Sequence, residues 1–284
     1  MIGYLRAISR LSALTILTLT LLALYIASSW RGDAARRHIV RAWHIAAARI
    51  VGIHIRAHGP IAPEGSLLAS NHVSYIDVIA LGALTESTFV AKASVAHWPV
   101  IGFLARLLNT LFVDRSSVHS LSQIETIAAA LRKGLTVVLF PEGTSSTGRT
   151  VLPFKSTLFE SVRDHDQSKI GRPVMVQPVT IAYAKDIRGW DLPIDERRIH
   201  PWVGEDELVP HLWAMLKHPG VIADVMFHQP VASDAFASRK ALAEHCHGAC
   251  AHGLIVARRR TALPMVQNAK DWLELESPLF GMLS

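Results

Sequence analysis

A histidine and an aspartate five residues apart, His72 and Asp77, are a pair able to do base chemistry together. An aspartate that accepts from one imidazole nitrogen fixes the tautomer and leaves the other nitrogen free to take a proton. Within one continuous helix, five residues turn through about 500°, so the side chains would stand roughly 140° apart. They can meet only if His72 lies in a loop or at a helix start and Asp77 turns back from the first turn. The surrounding residues allow this. An apolar run, Leu67–Ala69, gives way to a largely polar stretch, and apolar residues resume from Ile76 to Leu81. That pattern reads as buried strand, tight loop and helix. The chain has 15 histidines, so the spacing alone also suits an ordinary loop pair or cap, and other segments must decide.

A second stretch, Val137-Val138-Leu139-Phe140-Pro141-Glu142-Gly143-Thr144-Ser145-Ser146, is an apolar strand that ends in proline, a carboxylate, a glycine and hydroxyls. Ligands of open α/β sheets bind beyond the carboxyl ends of strands. Glu142 can accept from a substrate hydroxyl, Gly143 lets backbone approach closely, and Thr144, Ser145 and Ser146 offer hydroxyl donors. The plain alternative is a strand-to-loop turn with an exposed glutamate. A third, Leu111-Phe112-Val113-Asp114-Arg115, runs a strand into charge, and Arg115 has the fork to hold a phosphate or carboxylate. A surface Asp–Arg pair is its bland counterpart. A fourth, Val176-Gln177-Pro178-Val179, places proline inside an apolar run, which predicts an edge strand or a kink.

The elements that must position these residues follow from periodicity. Strands are expected at Ile53–Ala57, Leu67–Ala69, Thr88–Ala91, Thr110–Val113, Thr136–Phe140, Val174–Ala182 and Val221–Phe227. Helices are expected at Ile76–Leu84, Val95–Leu108, Ser117–Lys133, Thr157–Asp164, Asp206–Lys217 and Ser238–Arg260. The alternation implies an α/β fold with a mixed, largely parallel sheet covered by helices. Lys185–Val203 reads as a surface loop.

Ahead of the sheet, Leu11–Ser29 carries no charge and could just cross a hydrocarbon core. Arginines are denser after it (Arg31, Arg36, Arg37, Arg41) than before it (Arg6, Arg10), which favours a cytoplasmic body. A cleaved signal peptide is the alternative. Ala34–Ile55 reads as a basic amphipathic helix suited to an interface or to packing on the domain. Across 284 residues, 50% are hydrophobic and the net charge is +6. Mean hydropathy is +0.27, high for a soluble enzyme. The basic balance suits anionic lipid or an acidic carrier protein. Aromatics are only 7% and are not interleaved with the cations, which argues against nucleic acid. With 2 cysteines there is no disulfide framework.

Asn71-His72-x4-Asp77, Phe112-Val113-Asp114-Arg115, Phe140-Pro141-Glu142-Gly143-Thr144 and Val176-Gln177-Pro178-Val179 occur in the order and approximate spacing of four motif blocks. The chain resembles the glycerolipid acyltransferases, in particular the bacterial 1-acylglycerol-3-phosphate acyltransferase group, over roughly Ser66–Tyr183. The resemblance implies a glycerol-3-phosphate acyltransferase-like fold. It implies direct acyl transfer from coenzyme A or acyl carrier protein to a lysolipid hydroxyl at the cytoplasmic face of the inner membrane. The thioester would be a co-substrate, with no cofactor and no metal. His72 would be the general base and Asp77 its orienter, with Arg115, Glu142, Gly143 and Thr144 lining the acceptor site. Residues 1–59 would form a membrane-associated two-helix element, 60–262 the α/β acyltransferase domain and 263–284 a tail. One departure stands out. Many phosphate-acceptor members have Arg after Glu-Gly-Thr, and this chain has Ser145. Lysophosphatidate remains the first-ranked acceptor, with Arg149 or Arg115 to compensate. Lyso-ornithine lipid, which lacks a phosphomonoester, is the alternative.

Other constellations carry less. His245, Cys246, His247, Cys250 and His252 match no standard zinc spacing and read as a helix face. There is no Gly-x-Ser-x-Gly elbow, and the glycine-containing loop at 142–148 lacks the lysine of a phosphate loop. A non-catalytic lipid-binding protein and a lipid hydrolase are the rival functions. Oligomeric state and acyl-chain length are not readable from the residues.

Overall fold

The computed structural model describes residues 1–30, 32–99, 101–108, 110–113, 120–163, 173–193, 196–204 and 206–259. Arg115 and the tail at 263–284 lie outside them. Two N-terminal helices come first, α1 (Ile2–Ala27) and α2 (Asp33–Val51). Then follow β1 (Ile53–His58), β2 (Leu67–Ser70), α3 (Ile76–Leu84), β3 (Ser87–Lys92), α4 (Ile101–Leu107), β4 (Leu111–Val113), α5 (Ser120–Arg132) and β5 (Thr136–Leu139). The order closes with β6 (Met175–Asp186), α6 (Leu208–Lys217), β7 (Val221–Phe227), β8 (Val231–Ala232) and α7 (Arg239–Arg259).

The strands form one sheet in the order β1-β7-β6-β2-β5-β3-β4, with β8 beside β6. β6, β2, β5, β3 and β4 run parallel. β7 and β8 pair antiparallel to β6, and β1 follows β7. The sheet is therefore mixed and largely parallel, as the alternation predicts. Neighbouring residues of its central strands bury on opposite faces. Leu68, Val138, Val179 and Ile181 pack toward α2, α3 and α6. Leu67, Ala69, Val137, Leu139 and Val176 pack toward α5 and α7. A parallel strand covered on both faces has no polar side, which is why these strands read as unbroken apolar runs.

Four expectations need correction. The predicted helix at Ala34–Ile55 ends at Val51, because Gly52 adopts a left-handed conformation (φ 89°) that caps it. The residues that follow, Ile53–His58, pair with β7, so the α/β domain begins at Ile53 and not after residue 59. The predicted helix Val95–Leu108 is divided into a 3-10 segment at Ala93–His97 and α4, with Trp98 extended ahead of Pro99. Pro178 is neither on an edge nor at a kink. It lies in β6 beside Ala69 of β2, at the gap where the other neighbour of β6 changes from β7 to β8. Its carbonyl accepts from His228 N there at 3.0 Å, so its missing N–H falls on the gap and disrupts no ladder. In addition, Thr157–Asp164 forms a 3-10 segment over Ser156–Val162. The expected surface loop at Lys185–Val203 buries Leu192 and His200.

α1 is long and apolar enough to cross a membrane, with Ile2, Leu5, Ile8, Ile16, Leu19 and Ile26 exposed, which fits membrane association. It also lies against the domain at both ends. Arg6 donates to the Lys217 carbonyl at 2.8 Å, and Arg10 to the His218 and Pro219 carbonyls at 2.7 and 2.8 Å. Near the other end the Tyr25 hydroxyl donates to the Leu107 carbonyl at 2.9 Å.

Candidate active site

β2 and β5 are adjacent and parallel, so the loops that leave their carboxyl ends emerge side by side. The first carries His72 and the second Glu142. Both loops are locked together at one peptide. Glu142 Oε1 accepts from His72 N at 2.8 Å, and the His72 carbonyl accepts from Ser146 N at 2.8 Å and Ser146 Oγ at 3.1 Å. Asn71 ties the same loop to β6, its amide exchanging hydrogen bonds with the backbone N–H and carbonyl of Ile181 at 2.8 and 3.0 Å.

Asp77 turns back from the first turn of α3, as the spacing requires. Its Oδ2 lies 2.8 Å from His72 Nδ1 and accepts from Val73 N and Ser74 N at 2.7 and 3.0 Å. Oδ1 accepts from the Tyr183 hydroxyl at 2.8 Å. Two backbone donors on the same oxygen mark it as an acceptor, so the imidazole must donate from Nδ1, and Nε2 carries the lone pair. Asp77 is fully buried, while the His72 side chain is 19% exposed. The ring stacks on Phe140, centroids 4.1 Å apart. A buried carboxylate is tolerable only when its lone pairs are satisfied, and these are. Burial, with the charge of Asp77 beside it, pushes the Tyr183 phenol well above its ordinary value and keeps it a donor.

Glu142, expected to line the acceptor site, reaches inward from the loop. It is buried, and its oxygens take the backbone N–H groups of His72 and Leu152, the latter at 3.2 Å. Desolvation raises its pKa to about 7, against the two backbone hydrogen bonds that pull it down. Its place is between the loops, holding His72 at its own N–H. Gly143 has φ 74°, and a Cβ there would stand 2.8 Å from Lys155 Nζ. Thr144 is exposed at the rim. Tyr183 and Lys155 are not among the residues singled out from the sequence; Ser146 is, as a hydroxyl donor, and it donates to the His72 carbonyl. Tyr183 had a signal: it shares a face of β6 with Val179 and Ile181, so its hydroxyl had to be buried and in need of a partner. Cys246 and Cys250 are buried on the face of α7 toward the sheet.

A family model described as acyltransferase matches residues 53–182. The lyso-ornithine lipid O-acyltransferase of Rhizobium meliloti is 36% identical over 229 residues, 80% of this chain and 78% of that protein. That of Brucella abortus is 37% identical over 249 residues, 86% of this chain and 91% of that protein. The chain belongs to the acyltransferase family. It is similar over a shorter span, 42% of its length and 48% of the other's, to the 1-acyl-sn-glycerol-3-phosphate acyltransferase of Neisseria meningitidis, at 36% identity. The crystal structure of the acyltransferase PlsC from Thermotoga maritima superposes with a TM-score of 0.63 over 91% of this chain and all of that one, at 18% identity. The shared fold includes the sheet that brings the two loops together. With its family members, the protein is a lysolipid acyltransferase.

Proposed function

We propose that His72 is the general base for transfer of a fatty acyl chain from a coenzyme A or acyl-carrier-protein thioester to the free hydroxyl of a lysolipid. The observation that carries this is the oriented imidazole, held at Nδ1 by Asp77 on a partly open ring, with no partner at Nε2 among the described residues. An alcohol is a poor nucleophile near neutral pH, and a positioned imidazole contributes about 10²–10⁴-fold by removing its proton. As the hydroxyl oxygen bonds to the thioester carbon, its proton passes to Nε2. The carbon–sulfur bond then breaks, and the imidazolium returns the proton to the leaving sulfur. Asp77 stabilises the imidazolium meanwhile. The scheme uses no cofactor or metal. Glu142 acts by positioning His72, and Thr144 and the Gly143 backbone line the acceptor site; Arg115, expected there from the resemblance, lies outside the described residues.

Lysophosphatidate and lyso-ornithine lipid both fall within this activity, and we favour lyso-ornithine lipid. Four relatives of that name match 70–86% of the chain, against 42% for the two Neisseria lysophosphatidate enzymes. Ser145, where phosphate-acceptor members carry arginine, donates its hydroxyl to the Trp202 carbonyl. That position therefore supplies no cation for a phosphomonoester. We further propose that the domain sits at the cytoplasmic face of the inner membrane, with α1 in one leaflet. Arg6 and Tyr25 are about 28 Å apart along the helix, yet both bind the same domain, which supports lying over crossing.

The test is an acceptor panel of lyso-ornithine lipid, lysophosphatidate and lysophosphatidylcholine, each with both thioester carriers. Diacyl ornithine lipid should form fastest. A tenfold preference for lysophosphatidate would overturn the acceptor assignment. Free fatty acid in place of diacyl product would instead identify a hydrolase.

A further inference from the structure

A second site lies at the opposite end of the sheet. A cavity of about 970 Å³, at the upper end of the range of small-molecule sites, opens between α2, the end of α3, β3, β4 and α5. It is lined by Ser87 and Thr88 at the start of β3, by Leu111 at the start of β4 and by Leu135 just before β5. These strands are parallel to β2, so His72 and Glu142 follow the other ends. The four residues of β5 alone put about 13 Å between them. None of His72, Asp77 and Glu142 lines the cavity.

Its walls are cationic. Arg36, Arg37 and Arg41 come from α2, Arg106 from α4 and Lys133 from the end of α5, against the carboxylates of Glu86 and Glu125. Glu86 meets Arg37 at 3.4 Å and His38 at 3.0 Å, and Glu125 meets Arg132. The excess is positive. His44, also in the lining, is buried.

A groove adjoins this chamber. Tyr25, Val40, Leu107 and Leu108 line both, and the groove continues between α1 and α2 past Leu21, Leu22 and Trp43. A cationic chamber that runs into an apolar channel beside a membrane-associated helix has the polarity of a phospholipid. Guanidinium groups match a phosphate in a fork geometry. We propose that the chamber binds the anionic headgroup of one membrane phospholipid, whose acyl chain leaves along the groove between α1 and α2, about 50 Å³ in volume, toward the bilayer. This lipid is distinct from the acceptor. It seats the two-helix element on an anionic membrane, and no step of acyl transfer runs through it. The groove is the reason to commit to a lipid over a free anion.

The full-length protein in detergent would be incubated with phosphatidylglycerol, phosphatidylcholine or inorganic phosphate and examined by native mass spectrometry. One phosphatidylglycerol should remain bound at concentrations at least tenfold below those needed for phosphatidylcholine. Arg37→Gln, Arg41→Gln and Lys133→Glu combined should weaken that retention at least tenfold, while His72→Ala should not change it. Lys133 is exposed, so Lys133→Glu alone keeps the fold and should cost a few-fold. Equal retention of both lipids, or no effect of either set of variants, would overturn the proposal. Loss of retention in His72→Ala would move the lipid to the catalytic end and overturn it too. Inorganic phosphate retained as well as phosphatidylglycerol would mark a free-anion site. Because the readout is binding, it stands whichever acceptor the enzyme uses.

Discussion

The two ends of the sheet solve different problems. At the carboxyl end, the groups around the imidazole are held by specific hydrogen bonds: both oxygens of Asp77, both of Glu142 and the amide of Asn71 have partners, and the imidazole is stacked on Phe140. At the amino end, cations surround an open chamber, most of them exposed. Chemistry on a hydroxyl needs one nitrogen at one angle, so the first end is over-determined. Holding an anionic headgroup needs only positive potential of roughly the right shape, so the second end is loosely built. One changed atom should therefore matter greatly at the first end and little at the second.

The sharpest contrast should come from Asp77→Asn. The amide turns a donor toward Val73 N, Ser74 N or the imidazole and favours the wrong tautomer. Turnover should fall about 10²–10³-fold, measured as diacyl product per unit time, and a loss under fivefold would break the contrast. Tyr183→Phe comes next. It removes one of the four donors to Asp77 and should lower stability by about 1–3 kcal/mol in a denaturant titration, since a buried acceptor loses its partner.

Glu142 makes a pH-dependent prediction. Its carboxyl in the folded protein titrates near 7, above the ordinary 4.5, so between these values the folded state holds more protons than the unfolded one. That contribution is full below about pH 4.5 and is lost as pH rises through 7. The Glu142 contribution should thus fall from pH 5 to 8 by about 1–3 kcal/mol, read as the difference in stability slope between wild type and Glu142→Gln. An unchanged slope would show that the carboxyl titrates normally. Gly143→Ala should cost about 1–2 kcal/mol in thermal unfolding, because φ 74° is strained for any residue with a Cβ, while Lys155 can swing away. The smallest effect belongs to the other end: Lys133→Glu should leave turnover within twofold while weakening lipid retention.

What the residues reveal on their own follows the range of the interaction. His72 and Asp77 are five positions apart, and local geometry is enough to predict how they meet. The apolar runs at Leu67–Ala69 and Val137–Leu139 announce buried parallel strands, and their adjacency follows from the alternation of strand and helix. The link between Glu142 and His72 N crosses 70 positions and that between Tyr183 and Asp77 crosses 106, which no spacing rule reaches. Glu142 therefore reads as a carboxylate lining the acceptor site, and its place as a buried clamp on His72 N is not legible. The overrun of the expected helix to Ile55, past the end of α2 at Val51, has a local cause. Ile53 continues the helical apolar period, and only the positive φ of Gly52 turns it into a strand. Pro178 misleads for the opposite reason, because a gap in pairing can occur within a sheet as well as at its edge.

The most direct measurement is the pH–rate profile of acyl transfer for the wild-type protein and His72→Ala, at saturating thioester and lysolipid. With Nε2 as the base, His72→Ala should lower kcat by about 10²–10⁴-fold and abolish the rise in rate that follows imidazole deprotonation. Its KM and melting temperature should be unchanged. A fully folded His72→Ala variant that turns over within threefold of wild type, with the same pH profile, would contradict it.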